Sequence, residues 1–181
     1  MSKRIAVLGI SGVGKSTLIG RTREILPLMH LQASRLIKAE QAYRAHNADS
    51  SEALRTGAVI DNQALMMAAF RREAAATDLP IVFDGHSIID GREGLIEIPS
   101  SVFRDLRFDV ICFLADDPSV IAERRRTDIG RVRPHRDVAT LHDHQSIAEA
   151  AARRIATEIE RPFIYIADGK SDQLYDLIRQ P

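Results

Sequence analysis

The sequence predicts a three-layer α/β/α domain built on a five-stranded parallel sheet. Four short segments are continuously apolar and rich in β-branched or aromatic residues, as buried strands are: 5–10, 81–85, 110–115 and 163–168. A fifth, weaker strand candidate covers residues 28–33. Helical patterns separate these segments, and strands that alternate with helices form parallel sheets covered on both faces. A length of 181 residues fits one such domain, 1–181.

The helical patterns occupy five ranges: 15–26, 61–77, 118–127, 140–160 and 171–179. Asp61, Asp117 and Ser171 are candidate N-caps, because short polar side chains satisfy free backbone N–H groups at a helix start. Pro118 suits the first turn of the third helix. The second helix carries its apolar residues on one face: Leu65, Met66, Ala69 and Phe70.

Composition excludes several classes of protein. The chain has 25 basic and 25 acidic residues, so charge provides no general attraction to nucleic acid or to anionic membranes. Its one cysteine, Cys112, lies in an apolar run and is expected to be a buried, inert thiol. The apolar runs are shorter than a membrane helix needs, and glycine interrupts the short one at the N-terminus. We therefore expect a cytoplasmic protein with no membrane partner, and nucleic acid is an unlikely partner.

A phosphate-binding loop is predicted between the first strand and the first helix. Residues 9–16 read GISGVGKS and match the pattern G-x-x-x-x-G-K-[ST] at every fixed position, in the strand–loop–helix context that the motif requires. Glycines let backbone N–H groups face a phosphate, and the helix N-terminus adds partial positive charge. Lys15 would reach the β- and γ-phosphates, and Ser16 would offer an oxygen to Mg²⁺. The expected ATP-binding residues are Gly9, Ser11, Gly12, Val13, Gly14, Lys15, Ser16 and Thr17. The alternative is a glycine turn with a surface lysine.

Three residues at the carboxyl end of the third strand (81–85) or directly after it are candidates for the same site. Asp84 stands at the carboxyl end of that strand, where an aspartate holds Mg²⁺ or its waters; the alternative is a turn cap. Gly85 would permit close approach of a ligand. His86 fits two roles equally well: contact with the acceptor or a phosphate, and a purely structural hydrogen bond.

Basic residues concentrate in residues 123–136, where Gly130 and Pro134 indicate a loop. Arginines placed in this way can close over a triphosphate and neutralise the charge on the transferring group. The alternative is a solvated basic face or an RNA-binding patch, which the neutral net charge disfavours. Lys38 and Arg55 lie between the first and third strands and are candidate acceptor ligands, although Arg55 also fits a helix C-terminus.

Five segments together resemble the nucleoside monophosphate kinases, and within them the archaeal-type adenylate kinases: GISGVGKST, FDGHSIID, GLIEIPSSVF, RRRTDIGRVR and HDHQ. The resemblance covers almost the whole chain; many families share the first segment, whereas the later ones are more specific. It implies a P-loop kinase fold with a core of residues 1–33, 78–122 and 140–181. Acceptor-binding helices would lie at about 34–77 and a short lid at about 124–139.

The resemblance also implies an activity and roles for residues. The expected reaction is reversible transfer of the γ-phosphoryl group from MgATP to a nucleoside monophosphate, with AMP as the expected acceptor. The family's catalytic positions fall on Lys15, Asp84, Arg125, Arg131 and Arg133, the three arginines being lid cations that help to exclude water. Acceptor contacts fall to Lys38, Arg55, Gly85 and His86. Archaeal-type enzymes are often trimeric, so a homo-oligomer is plausible here.

Two departures concern the acceptor side. The common bacterial enzymes carry a T-G-D-x-x-R pattern, but residues 33–38 here read ASRLIK, so that only Lys38 keeps a cation. Glu149 stands near a position where an arginine often follows the lid. Two alternatives therefore stay open: a P-loop kinase of another small acceptor, and an ATPase switch that acts on RNA or a protein complex. A switch GTPase is disfavoured because the chain has no N/T-K-x-D motif, and an AAA-type motor would usually be longer.

Overall fold

The fold is built on a five-stranded sheet in which every pairing is parallel. The computed structural model describes residues 2–44, 59–91, 94–128, 134–167 and 171–180. The sheet strands are β1 (Arg4–Leu8), β2 (Met29–Gln32), β3 (Ile81–Asp84), β6 (Val110–Ala115) and β7 (Phe163–Ala167), in the order β2-β3-β1-β6-β7. The predicted parallel sheet is therefore confirmed, including the weak fifth strand, which is β2.

The strands are buried because they are covered on both faces. Ile5 to Leu8 in β1 are all 0% exposed, and every residue of β6 is buried. Such strands read as unbroken apolar runs, and these runs made them visible in the sequence. Parallel pairing aligns the carboxyl ends of β1, β2 and β3 at one edge, where Val7 and Gln32 both pair with Asp84. Ligands of open parallel sheets bind at this edge.

Seven helices are described: α1 (Lys15–Ile25), α2 (Ala33–Tyr43), α3 (Val59–Ala75), α4 (Ser100–Asp105), α5 (Pro118–Thr127), α6 (Val138–Glu158) and α7 (Ser171–Arg179). Together with the sheet they give the expected three-layer fold. No helix within these ranges is long and apolar enough to cross a membrane.

The observed first residues of the helices do not fit two of the three predicted N-caps. Asp117 caps α5 as predicted, because its carboxylate accepts a hydrogen bond of 2.7 Å from the Ser119 backbone N–H. Asp61, however, lies inside α3, where its negative charge still suits the first helical turn. Ser171 is already the first residue of α7, so the position before it lies outside the described residues.

Two other differences concern helix α6 and a short hairpin. Helix α6 starts two residues before the predicted range, and Asp137 caps it through the Thr140 backbone N–H at 2.7 Å. The antiparallel hairpin of β4 (Ile88–Gly91) and β5 (Gly94–Glu97), followed by α4, was not predicted. These elements have four to six residues each, and β5 is largely exposed, so they lack a long apolar pattern.

Four phenylalanines join the sheet to the helices on the β3 side. Phe108 packs against Phe70, Phe83 and Phe103, with ring centroids 5.4–6.1 Å apart. All four rings are at most 3% exposed. Aromatic groups of this kind contribute strongly to stability through buried area and edge-to-face contacts. Cys112 in β6 is 0% exposed, so the expectation of a buried thiol is confirmed.

Candidate active site

The phosphate loop joins β1 to α1 at the carboxyl edge of the sheet. Gly12 and Gly14 have φ angles of 90° and 105°, which L side chains rarely adopt, so glycine suits both positions. Lys15 is the first residue of α1 and is 6% exposed. Its ammonium donates hydrogen bonds to the carbonyl oxygens of Gly9 at 2.9 Å and Ile10 at 3.2 Å. The sequence thus places a buried cation on the loop itself.

Ser16 and Asp84 form a hydrogen-bonded pair of oxygen-bearing side chains beside this cation. The Ser16 hydroxyl donates to Oδ2 of Asp84 at 2.6 Å, and Nζ of Lys15 lies 3.9 Å from Oδ1. Mg²⁺ prefers oxygen ligands and is bound in kinases by few protein groups together with phosphates. The two side chains fit that ion. Within the described ranges no three His, Cys, Asp or Glu residues cluster closely enough to hold a metal.

The ionisation of Asp84 also suits a cation. Burial raises the pKa of the Asp84 carboxyl, since a buried charge loses hydration. The neighbouring groups lower the pKa by more than burial raises it: His30, Lys15, Ser16 and His86. The net pKa is well below the ordinary aspartate value, so Asp84 is an anion at neutral pH.

Gly85 and His86 hold the loop and the end of β3 in place. A Cβ at Gly85 would lie 2.3 Å from the Phe83 ring, so packing against a buried aromatic group requires glycine there. Nδ1 of His86 lies 2.8 Å from the Gly9 carbonyl oxygen, and because a carbonyl only accepts, the ring donates. His86 therefore makes a structural hydrogen bond, one of the two roles left open, and it also borders the cavity described below.

Two arginines of the basic segment lie on the phosphate loop. Nη1 of Arg124 donates to the Val13 carbonyl at 3.1 Å and to Asp116 at 2.5 Å. Nε of Arg125 donates to the Ser11 carbonyl at 2.8 Å. Both residues belong to α5, so residues 124–127 are helical and not part of a loop. Arg124 was not singled out from the sequence, because the resemblance assigned a role to Arg125 alone among the three consecutive arginines.

The remaining arginines are not brought to the loop by the described structure. Arg126 points elsewhere and pairs with Glu123 at 2.7 Å. Arg131 and Arg133, expected as lid cations, and Arg55, expected at the acceptor, lie outside the described residues.

A cavity of about 330 Å³ adjoins the loop and extends between α2, α3, α4 and the β4–β5 hairpin. Its polar rim includes the predicted acceptor ligand Lys38 and five further residues: Gln32, Ser34, Arg35, Gln63 and Asp90. Its apolar wall includes Ile37, Met66, Ile88, Ile98, Val102 and Phe103, all of which are at most 7% exposed. Ile10, Ser11 and Asp84 connect the cavity to the phosphate loop.

The cavity wall includes two ionisable side chains that the sequence did not reveal, Asp90 and His144, and Arg136 holds the first of them. Arg136 donates to Asp90 through Nη2 at 2.9 Å and Nε at 3.3 Å, and Nδ1 of His144 lies 3.8 Å from the same carboxylate. These contacts join the β4–β5 hairpin to the start of α6. They depend on a hairpin that had no clear sequence pattern, so Asp90 could not have been selected in advance.

A phosphate loop, an aspartate at the end of the neighbouring strand and an adjoining cavity define a P-loop phosphotransferase, a kinase of nucleotides or other small molecules. Residues 8–142 match the family model described as AAA domain, and since this is more than half of the chain, the protein belongs to that family. The match is to a domain family, so it leaves the expectation against a longer AAA-type motor untested.

Proteins of similar sequence or structure support the conclusion that the chain is a kinase. The adenylate kinase of Methanoculleus marisnigri is 25% identical, with 86% of this chain and 84% of that protein covered. That of Pyrobaculum aerophilum is 24% identical, with 78% and 73% covered. The structure of shikimate kinase from Acinetobacter baumannii in complex with shikimate has the same fold, with a TM-score of 0.62 over 98% of this chain and 91% of that chain at 15% identity.

Proposed function

We propose that the protein is an ATP:nucleoside monophosphate kinase of the adenylate type, which converts MgATP and AMP into two ADP. The observation that carries the proposal is the cavity beside the phosphate loop, which combines a buried apolar wall with cations at its rim. A nucleoside monophosphate has the matching chemistry: a flat ring with weakly polar faces at one end and a dianion at the other.

The two ends of the acceptor would find different partners. Ile88, Ile98 and Phe103 would cover the faces of the base, since burial of such surface is favourable. Arg35 and Lys38 would attract the phosphate, because charge-assisted hydrogen bonds to phosphate are strong. A polyhydroxylated sugar acid fits less well, because its hydroxyls would lie unpaired against the apolar wall.

The donor side would use the phosphate loop. Lys15 would exchange the Gly9 and Ile10 carbonyls for the β- and γ-phosphates of ATP. Ser16 and Asp84 would hold Mg²⁺, directly or through water; the bound ion neutralises charge on the phosphates. We include Arg125, Arg131 and Arg133 as cations that close over the transferring group and keep water out.

The comparisons support this proposal and also identify the runner-up. Two adenylate kinases are similar to the chain at low identity, whereas the shared fold of a shikimate kinase shows that other acceptors suit the same scaffold. An ATPase switch acting on RNA is less well supported, since Arg124 and Arg125 bind the loop instead of forming an outer surface. The proposal also includes a cytoplasmic location and a homo-oligomer, as in the archaeal-type family.

The test is one assay plate with purified protein and MgATP. Each well receives AMP, CMP, UMP, GMP, dTMP, shikimate or gluconate, and the phosphorylated products are separated and quantified. We expect rapid turnover with AMP. Lys15→Met should lower turnover by at least about 10²-fold, because it removes a cation from the transferring phosphates. Lys3→Met is the matched control: Nζ of Lys3 donates to the Gln180 carbonyl, and Lys3 precedes the amino end of β1, opposite the end that joins the phosphate loop, so its loss should leave turnover unchanged.

Three outcomes would contradict the proposal. Turnover confined to shikimate or gluconate would favour another small acceptor. ATP hydrolysis that no monophosphate accelerates would favour the switch, and salt-sensitive RNA binding would then be measured. Full activity of Lys15→Met would refute the role of the loop itself.

A further inference from the structure

One buried side-chain atom in the described part of the chain has no partner within hydrogen-bond distance: Nε2 of His30. Buried polar atoms are nearly always bonded, and an unpaired one is costly. The atom lies next to the phosphate site, because His30 is in β2, the strand that pairs with β3. We therefore expect this nitrogen to gain a hydrogen-bond partner when nucleotide binds.

The candidate partner is Asp84. His30 pairs with Val82 and Gln32 pairs with Asp84 across the β2–β3 ladder, so His30 and Asp84 lie on the same face of the sheet. Nε2 of His30 is 3.7 Å from Oδ2 of Asp84. That distance exceeds the usual N–H···O range by about 0.5 Å, which a small rotation of the carboxylate would close. Because both backbones are fixed in the sheet, only side-chain torsions need to change.

Binding of nucleotide would change what surrounds Asp84. Nζ of Lys15 is 3.9 Å from Oδ1, and it would leave for the phosphates. The Ser16 hydroxyl, which donates to Oδ2 at 2.6 Å, can still donate through its hydrogen while its oxygen faces a cation. Asp84 would thus lose one cation on Oδ1 and need a second donor to fix the plane of its carboxylate.

We propose that His30 is a positioning residue of the Mg²⁺ site, which donates Nε2–H to Oδ2 of Asp84 when MgATP is bound. The inference rests on the donor half of the proposed function and goes beyond it by assigning a residue that neither the phosphate-loop pattern nor the resemblance includes. The chemistry is that of an outer hydrogen bond to a ligand of the ion. Such bonds orient the ligand, and their loss typically lowers metal affinity by about 10–100-fold.

The test measures metal binding without turnover. Mn²⁺ replaces Mg²⁺ because its free form is quantified by electron paramagnetic resonance, and a non-hydrolysable ATP analogue replaces ATP; no acceptor is added. Four proteins are titrated: wild type, His30→Leu, His30→Gln and His30→Asn. Binding of the analogue without metal is measured in parallel, and thermal melting checks that each variant is folded.

The proposal predicts a pattern across the variants. His30→Leu should weaken Mn²⁺ binding to the protein–analogue complex by about 10–100-fold and leave metal-free analogue binding nearly unchanged. His30→Gln should restore most of the affinity, because its Nε2 donor reaches the same place, and His30→Asn should not, because its amide is one carbon shorter. If His30→Leu does not fold, the Mn²⁺ affinities of His30→Gln and His30→Asn are compared with each other instead.

Other outcomes overturn the inference. Wild-type Mn²⁺ affinity in His30→Leu, or in His30→Asn, would show that His30 only fills space. Equal losses in metal-free and metal-bound analogue binding would show a general defect of the loop. If wild-type protein binds no Mn²⁺–analogue complex, the donor half of the proposed function is wrong, and the His30 role is refuted with it. Failure of acceptor turnover alone leaves this experiment unaffected.

Discussion

Gly12→Ala is the substitution whose effect on the phosphate loop follows most directly from geometry. Gly12 has a φ of +90°, and an added Cβ would lie 2.9 Å from Cγ and 3.3 Å from Nε of Arg125. Positive φ costs an L residue about 1–2 kcal/mol. The Arg125 side chain must also move, which breaks its 2.8 Å hydrogen bond to the Ser11 carbonyl at a cost of about 1 kcal/mol. The expected loss of unfolding free energy is therefore about 2–3 kcal/mol.

For a protein of this length, each kcal/mol corresponds to about 2–4 °C in Tm, so Gly12→Ala should melt roughly 4–12 °C lower. The matched control is Gly20→Ala, inside α1, where a Cβ would meet nothing within 4 Å. Alanine is the better helix former by about 0.5–1 kcal/mol, so this variant should melt slightly higher. The assay is calorimetry of both variants with and without an ATP analogue, and the analogue should stabilise Gly20→Ala but much less Gly12→Ala.

The result that would refute this reasoning is a shift of the same sign in both variants. Equal stabilisation of both by the analogue would also refute it, because the loop of Gly12→Ala would then bind phosphate as well as glycine allows.

Two further predictions concern groups away from the loop. Glu40 is 3% exposed and receives hydrogen bonds from Arg72 and Arg44, which lower its pKa below the ordinary 4.5. A lowered pKa stabilises the fold above 4.5, and the contribution disappears as pH falls through the folded-state value. Glu40→Gln should therefore lower Tm at pH 7, and the difference from wild type should shrink in melts at successively lower pH; a constant difference would reject the pairing. Burial raises the pKa of Cys112 to about 12. A thiol reagent at pH 8 should label native protein negligibly and unfolded protein fully, and fast labelling of the native chain would contradict this.

Strands that are buried on both faces were easier to predict from the sequence than the partly exposed hairpin. The strands β1, β3 and β6 are covered on both faces, so residues 5–8, 81–83 and 110–115 are unbroken apolar runs, whereas a surface helix needs only one apolar face. The hairpin β4–β5 has one exposed strand and four residues in each arm, so its pattern is too short to distinguish from a loop. Helix α3 shows a third case: the apolar face was identified, but its start was misplaced by two residues because an aspartate in the first turn resembles a cap.

The site was predictable where it depends on neighbours in sequence, and less so where it depends on neighbours in space. Lys15 and Ser16 belong to one contiguous motif, and Asp84 follows a recognisable strand. His30, Arg124 and Asp90 reach the site only through strand pairing, helix direction or a hairpin. The roles proposed for Arg55, Arg131 and Arg133 stay predictions, since these residues lie outside the described ranges.

The hydrogen bonds around the phosphate loop hold its backbone in place before an anion binds. Carbonyl oxygens at positions 9, 10, 11 and 13 all accept from side chains, and three of the donors are cations: Lys15, Arg124 and Arg125. Each of these bonds fixes the orientation of one peptide group, so the loop backbone is held in place before an anion binds. We expect the same cations to reach bound phosphates by rotation of their side chains. Nucleotide binding would then exchange carbonyl partners for phosphate oxygens without rebuilding the loop, which keeps the cost of organising the site small.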